Sequence, residues 1–314
     1  MTPKGHSAVP RAYRPTGEQF EISHGDQSAV VTEVGATLRS YAVAGFEALD
    51  TFPEDEKSEA CRGQVLLPFP NRIDGGKYLF EGQEYQLPIT EPATNNAIHG
   101  LTRWLAWTPL RRTASSVTLF HRLHPQDGYP FMLDLRIEYA LSDRGLTVST
   151  TATNAGGGSL PFGAGYHPYF SVGTPTIDAA TLRLPARAWL ETNERLIPTG
   201  SRGVEGTEYD FTEGREIGNV RLDTCFTGLI PDDDGFARAR LTHPSGSPEI
   251  VIGMDQSHGF IQVYTSDTLP EEEQRRGIAI EPMTCAPNAF NSGDGLRILA
   301  PGESFTSAWS VACV

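Results

Sequence analysis

The strongest constraint on the fold is an alternation of apolar and polar side chains with a period of two residues. In residues 131–141, apolar side chains occupy every odd position, and the stretch ESFTSAWSVACV at residues 303–314 repeats the pattern. Residues 117–119 and 146–148 show it over shorter runs. Successive side chains of a β-strand point to opposite faces of the sheet, so this alternation predicts half-buried antiparallel strands.

Short turns separate these runs. Glu81–Gly82 lies between two strand-like segments, and residues 244–247 (PSGS) lie between two more, so each pair is predicted to be a β-hairpin. The 32 glycines and 23 prolines leave little room for long helices. Only Asp55–Ala60 and Glu271–Arg276 are helix candidates. The sequence therefore predicts an all-β sandwich or barrel with few short helices.

The length and composition fit one large β domain. The chain has 314 residues, of which 39% are apolar, enough for a sizeable core. It contains no repeat of fixed period, no low-complexity tract and no evident linker. We expect residues 1–16 to form a flexible N-terminal arm and residues 17–314 to form a single β-sandwich domain.

Charge and hydropathy limit the classes of binding partner and the cellular locations that the sequence favours. The net charge of -14 disfavours binding to nucleic acid or to anionic membranes. The N-terminal residues lack an apolar stretch of signal-peptide length, and the longest apolar run, Val65–Pro70, is too short to span a bilayer. The four cysteines are scattered, as expected for free thiols in a reducing compartment. We predict a cytoplasmic protein.

Four polar residues stand out as candidates for chemistry. His167 lies in GAGYHPYF and His99 in NNAIHG, and both settings suit a ring at a pocket wall, although a histidine in such a place is more often structural. Glu281 follows the apolar run Gly277–Ile280, where partial desolvation would raise its pKa and make it a better base. Pairing with an arginine such as Arg72 is the structural alternative for this carboxylate.

Several familiar chemistries have no support. The only close histidine pair, His121 and His124, has no third ligand nearby, so no metal is expected. No GxSxG motif indicates a serine nucleophile. Neither GxGxxG nor a P-loop is present, so no nucleotide cofactor, and no cofactor of any kind, is predicted.

Taken together, six segments resemble the aldose 1-epimerase (galactose mutarotase) family, in the family's order. They extend over nearly the whole chain from about residue 28, and they are PFPNRIDGGKYLFEGQEYQL, NNAIHGL, GYHPYF, LDTCF, QVYTSD and AIEPMTCAPNAFN. The resemblance implies a large antiparallel β-supersandwich of the galactose mutarotase type. It also implies an isomerase that interconverts the α and β anomers of a free aldohexose, a small-molecule monosaccharide.

The resemblance also implies roles for individual residues. Glu281 would be the general base and His167 the general acid of ring opening and closing. This pair predicts a bell-shaped pH profile, with the carboxylate on the acid limb and the imidazole on the alkaline limb. The sugar would be bound by residues of the same segments: Arg72, His99, Asp223, Gln262, Tyr264 and Asn71. Trp104, which lies outside these segments, is a candidate to stack on the C–H face of the sugar.

The substrate and the assembly are left open by the sequence. The forms PFPNR and EPMTCAPNAFN are similar to an epimerase-related branch that includes sulfoquinovose mutarotases, and a hexose 6-phosphate is a further alternative. Arg103 and Lys77 are candidate partners for an anionic substituent. A non-catalytic sugar-binding module is a rival, as is a glycosidase, which would need two opposed carboxylates. We expect a monomer or a homodimer.

Overall fold

The computed structural model describes residues 14–314. The predicted N-terminal arm, residues 1–16, therefore lies outside the described residues except for its last three. Within the described range the chain forms 27 strands, two single-turn 3-10 helices and one short α-helix. This all-β, antiparallel architecture is the one that the sequence predicts.

The elements of the first half are, in chain order, β1 Gln19–His24, β2 Gln27–Thr32, β3 Leu38–Val43, β4 Phe46–Glu47, β5 Val65–Leu66, β6 Arg72–Asp74, β7 Lys77–Phe80, β8 Gln83–Gln86, β9 Asn96–Ile98, β10 Thr108–Arg112, β11 Ser116–Leu123, β12 Leu133–Ser142 and β13 Gly145–Asn154. Those of the second half are β14 Leu160–Phe162, β15 Gly165–Tyr166, β16 Tyr169–Phe170, a 3-10 turn at Ile177–Ala179, β17 Thr181–Arg183, β18 Ala186–Thr192, β19 Pro198–Gly203, β20 Arg215–Glu216, β21 Asp223–Leu229, β22 Ala237–Thr242, β23 Glu249–Met254, β24 Phe260–Tyr264, a 3-10 turn at Glu271–Glu273, β25 Ile278–Met283, α1 Ala289–Ser292, β26 Arg297–Leu299 and β27 Ser304–Cys313.

Two large sheets dominate the fold. A nine-stranded sheet has the order β10-β11-β12-β13-β27-β23-β22-β17-β20, and an eight-stranded sheet has the order β19-β18-β21-β24-β25-β15-β5, with β16 also paired to β25. A four-stranded sheet of β1 to β4 and three two-stranded ribbons complete the structure. Buried side chains from all these sheets form one extensive hydrophobic cluster.

The period-two prediction is confirmed in detail. In β12 the side chains of Leu133, Leu135, Ile137 and Tyr139 are almost completely buried, and those between them are more exposed. β12 pairs with β13 in continuous antiparallel register, and β13 pairs with β27. Both predicted hairpins are present, as β7–β8 and β22–β23.

Neither predicted helix forms as expected. Asp55–Ala60 forms turns rather than a helix, and Ala60 and Cys61 adopt positive φ, which a right-handed helix does not allow. Glu271–Arg276 contains only the 3-10 turn at Glu271–Glu273, because Arg275 also has a positive φ. Among residues 14–314, no helix is both long and apolar enough to cross a membrane.

The partner strand of β25 is interrupted opposite Glu281. β15 pairs with the end of β25 at Met283, and β16 pairs with its beginning, so His167 and Pro168 lie between the two short strands. Pro282 lies inside β25, in register with Ile261 of β24. On the side of the interrupted partner, the amides of Ile280 and Thr284 donate to the carbonyls of Pro168 and Ala164, and Pro282 between them has no N–H to donate.

Candidate active site

The interruption next to β25 brings together the two predicted catalytic groups. Glu281 lies on β25 beside Gln262 of β24, its direct cross-strand neighbour. His167 lies on the other side, in the gap between β15 and β16. The imidazole Nε2 of His167 is 3.4 Å from the carboxylate Oε1 of Glu281. Both side chains are almost completely buried, at the inner end of a pocket.

This pocket has a volume of about 300 Å³, enough for a single sugar ring. Its wall contains eight of the nine predicted site residues: Glu281, His167, Arg72, His99, Asp223, Gln262, Tyr264 and Asn71. The ninth, Trp104, does not line it and is 51% exposed. In the turn after β9, Arg103 lines the pocket and the adjacent Trp104 does not, so the predicted stacking role of Trp104 is wrong. Lys77 is on the surface elsewhere and does not line the pocket either.

Arg72 is fixed by a two-point ion pair. Its Nε and Nη2 atoms each lie 2.8 Å from an oxygen of Glu91, a bidentate geometry that holds the guanidinium plane. Nη2 is also 3.7 Å from Asp223 Oδ2. Arg72 belongs to β6, which pairs with β9, and the amide of His99 donates to the carbonyl of Asn71. This short ribbon therefore brings two predicted sugar-binding side chains to one wall.

The opposite wall comes from β21 and β24. Gln262 Nε2 donates a hydrogen bond of 2.6 Å to Asp223 Oδ1. Asp223 is paired in register with Tyr264, whose hydroxyl bonds to Thr268 at 2.7 Å. Hydrogen-bonding groups thus line the pocket on several sides, the arrangement expected for a ligand rich in hydroxyl groups.

Burial controls the protonation of the acid–base pair. Desolvation raises the pKa of Glu281 well above its ordinary value, with a further rise from the nearby charge of Asp223 and a partly opposing effect of Arg72. Burial, partly opposed by a backbone hydrogen bond of His167 itself and reinforced by the cations Arg103, Arg62 and Arg72, lowers the pKa of His167 to about 3. These opposite shifts favour a neutral imidazole and a protonated carboxyl.

Three buried polar atoms in the pocket have no hydrogen-bond partner within residues 14–314: Glu281 Oε2, His167 Nδ1 and His99 Nδ1. Burial lowers the pKa of His99 well below its usual range, so its imidazole is neutral and offers both a donor and an acceptor. Unpaired buried polar atoms are costly. These three atoms lie where a bound ligand could supply the missing partners.

Some pocket residues were missed by the sequence analysis. Glu91, which orients Arg72, comes from a loop between β8 and β9 and has no motif of its own. Tyr169 stacks on His167 with ring centroids 5.0 Å apart and planes at 22°. Its position in YHPYF two residues after the histidine was the available signal. No group of three or more potential metal-ligating His, Cys, Asp or Glu side chains occurs in the described chain.

The fold and the site together define a class: a β-sandwich enzyme with a carboxylate–imidazole pair inside a sugar-sized pocket. The sequence profile of the aldose 1-epimerase family matches residues 18–312. This chain belongs to the aldose 1-epimerase family and is an isomerase with mutarotase-type activity.

Individual relatives agree with this assignment. The chain is 36% identical to the uncharacterized protein YihR of Escherichia coli K12 over 92% of this chain and 91% of that protein. It is 29% identical to the galactose mutarotase of Sus scrofa, covering 80% and 79% of the two chains. The fold matches that of an aldose epimerase homologue from C. elegans, with a TM-score of 0.84 and 22% identity over 95% of this chain and 98% of that one.

Proposed function

We propose that this protein interconverts the α and β anomers of a free aldohexose, with Glu281 as general base and His167 as general acid. The observation that carries the proposal is the 3.4 Å contact of these two groups inside a pocket of about 300 Å³. An aldohexose has a free anomeric hydroxyl, and one ring fills a space of this size. The pocket's amide, guanidinium and hydroxyl groups suit its other hydroxyls.

The chemistry requires two proton transfers around one bond. The proton of the anomeric O1–H passes to the Glu281 carboxylate while His167 donates a proton to the ring oxygen O5. The C1–O5 bond breaks as the C1–O1 bond becomes the carbonyl of the open-chain aldehyde. After rotation about C1–C2, both transfers run in reverse and the ring closes on the other face. Each positioned transfer typically accelerates such a step about a hundred- to ten-thousandfold.

The reactive form of the pair has an ionised Glu281 and a protonated His167. Because burial favours a protonated carboxyl and a neutral imidazole, this form requires transfer of the proton across the 3.4 Å contact. Bound sugar hydroxyls would donate to the carboxylate, and Arg72 already lowers the cost of its charge. Substrate binding thus favours the charged form in which both transfers can occur.

The remaining wall residues would hold the ring without restricting C1. Arg72, oriented by Glu91, would donate to ring hydroxyls, as would the neutral His99 beside Asn71. Asp223 and Gln262 bond to each other, and both line the same pocket as Tyr264.

The test is anomer exchange measured by NMR on glucose and galactose, with background mutarotation subtracted. Glu281→Gln and His167→Ala should each lower kcat at least a hundredfold and leave the fold intact. Their losses should be far from additive in the double variant, because the two groups act in one step. Near-wild-type turnover in either single variant would refute the acid–base assignment.

One observation favours a second candidate, a hexose with an anionic group at C6, such as sulfoquinovose or a hexose 6-phosphate. The Arg103 guanidinium lines the pocket and bonds to Cys61 Sγ at 3.0 Å and to the carbonyl of Ile98 at 3.5 Å. It forms no ion pair with a carboxylate within residues 14–314. Arg72, by contrast, is already paired with Glu91. A free guanidinium in a pocket is suited to an anionic oxygen.

The two candidates separate in a substrate panel of glucose, galactose, glucose 6-phosphate and sulfoquinovose at equal enzyme concentration. An anionic substrate would give a much higher kcat/KM, and Arg103→Gln would remove that advantage. Lys77→Gln is the matched control, since Lys77 does not line this pocket. Equal rates for neutral sugars, unchanged in Arg103→Gln, would reject the anionic candidate.

A further inference from the structure

The orientation of His167 is not set by a carboxylate on its second nitrogen. Catalytic imidazoles commonly donate their other N–H to a carboxylate or carbonyl, which fixes both tautomer and ring plane. Here Nδ1 of His167 is buried and bonds to no other residue within residues 14–314, and the one backbone group that interacts with the imidazole belongs to His167 itself. A further device must therefore help to hold the ring against Glu281.

Aromatic contacts supply that device. The Tyr169 ring is stacked on His167, and the His99 ring meets His167 edge-on, with centroids 5.2 Å apart and planes at 82°. Of the two, Tyr169 covers the face of the imidazole. Stacking of this kind restricts tilting of the ring while leaving both nitrogens free for proton transfer.

Tyr169 is held by strand pairing, a hydrogen bond and a cation–π contact. Its backbone pairs with Ala279 of β25, two residues from Glu281, and its hydroxyl donates to the carbonyl of Ala60 at 3.1 Å. The guanidinium carbon of Arg62 lies 5.3 Å from the Tyr169 ring centroid, within cation–π range. The stack therefore continues outward from His167 through Tyr169 to Arg62.

Arg62 is anchored in a buried ion-pair network. Its Nε is 2.9 Å from Asp50 Oδ2 and its Nη2 is 2.8 Å from Glu273 Oε2. The amide of Asp50 also donates to the carbonyl of Tyr169 at 2.9 Å. Arg62 is buried but does not line the sugar pocket. Neither the proposed proton transfers nor sugar binding uses this network.

We propose that Tyr169 and Arg62 are positioning residues that act through His167: the Arg62-backed tyrosine ring holds the imidazole in the plane from which it protonates the sugar. The proposal rests on the acid role of His167 given above. Tyr169 contributes the contact, and Arg62 with Asp50 fixes the tyrosine.

Electrostatics agree with this geometry. Arg62 is one of the cations that lower the pKa of His167, so it also opposes a charged imidazole before substrate binds. Arg62 is not the only ionisable group that surrounds the His167 imidazole. The others come from several neighbouring segments: Glu281 of β25, Arg72 of β6, His99 and Arg103 after β9, Cys61 before β5, and Tyr169 of β16.

The experiment compares Tyr169→Leu, which removes the stacked ring, with Tyr169→Phe, which keeps it. We expect Tyr169→Leu to lower kcat about tenfold or more, since small misplacements of a catalytic group can cost up to a hundredfold. Tyr169→Phe should stay within about threefold of wild type by the same reasoning. NMR of ¹⁵N-labelled protein should show the His167 ring nitrogens changed in Tyr169→Leu and nearly unchanged in Tyr169→Phe.

Tyr169 also lines the pocket, so a direct contact with sugar must be distinguished from action through His167. A double-mutant cycle does this: in a His167→Ala background, Tyr169→Leu should have little further effect on the residual kcat. The same fold-loss in both backgrounds would overturn the proposal. Full activity of His167→Ala would instead overturn the proposed function, so the two failures are distinguishable.

Arg62 is tested outside the pocket by the double variant Arg62→Met with Asp50→Asn, which removes the buried pair together and leaves only the partly exposed Glu273 and Arg276 without these partners. We expect kcat to fall at least threefold with KM little changed, and the shift in the His167 ring nitrogens to resemble that of Tyr169→Leu. Arg62→Lys should recover part of the loss. Wild-type kcat and unchanged His167 signals in a folded double variant would refute the role of Arg62.

Discussion

Glu281→Gln should make this protein more stable as it makes it inactive. The carboxyl is buried and its pKa is raised well above the ordinary 4.5, so above pH 4.5 the unfolded chain releases a proton that the folded chain retains up to its higher pKa. A raised pKa contributes stability that is fully present below pH 4.5 and is lost as pH rises towards the folded value. The neutral glutamine removes this loss.

The magnitude follows from linkage. Each pH unit above 4.5, up to the folded pKa, costs the wild-type protein about 1.4 kcal/mol, so the cost at pH 7 cannot exceed roughly 3 kcal/mol. A buried glutamine has an extra N–H to satisfy, at a cost of about 1 kcal/mol. We therefore expect Glu281→Gln to raise the free energy of unfolding by about 1–2 kcal/mol at pH 7.

The assay is chemical or thermal unfolding of both proteins at pH 4.5 and at pH 7, read by tryptophan fluorescence. The variant's advantage should appear at pH 7 and disappear at pH 4.5. Glu84→Gln, on the exposed strand β8, is the matched control and should show no such difference. If Glu281→Gln were destabilised equally at both pH values, the carboxyl would not carry the burial cost assigned to it here.

Three further predictions concern activity. The pH profile of kcat/KM should be bell-shaped, with the two groups on the limbs opposite to those expected from their reference pKa values. Activity should fall at low pH as His167, with its pKa lowered to about 3, takes a second proton, and at high pH as Glu281 loses the proton that the pair shares. An acid limb near pH 6.5 would contradict this. Glu91→Gln should raise KM about three- to thirtyfold with a smaller effect on kcat, because Arg72 loses its bidentate partner. An unchanged KM in steady-state kinetics would mean that contacts other than Glu91 hold Arg72 in place. Treatment with a strong chelator followed by desalting should leave anomer exchange unchanged, and a loss restored by one divalent ion would refute that expectation.

The sequence predicts the sheets better than the connections between them. The alternation in β12 and β27 predicts which face of each strand is buried, because it depends only on the polarity of successive side chains. The candidate helix at residues 55–60 is wrong because this segment forms turns and bends and ends in the positive φ of Ala60, a conformation that alanine does not signal in a sequence. The candidate helix at residues 271–276 shortens to one 3-10 turn before the positive φ of Arg275, which the sequence does not signal either.

The site was predictable to the extent that family motifs mark it. Glu281 and His167 were both identified, and the structure brings them together. Glu91 could not be identified, since its role depends on contact with Arg72 nineteen residues earlier in the chain. Trp104 was misplaced because sequence proximity to pocket residues does not say which way a side chain turns: Arg103 faces the pocket and Trp104 the solvent.

The interruption opposite Glu281 also protects strand alignment. A one-residue slip in β25 would send every side chain to the opposite face of the sheet and carry Glu281 out of the pocket. In the native register the missing N–H of Pro282 is on the side of the interrupted strand, between the amides of Ile280 and Thr284 that donate to it. The same slip would turn that position towards β24, which pairs with β25 without a break, and would leave one carbonyl of β24 without its donor. Pro282 therefore disfavours the slipped pairing that would displace the base.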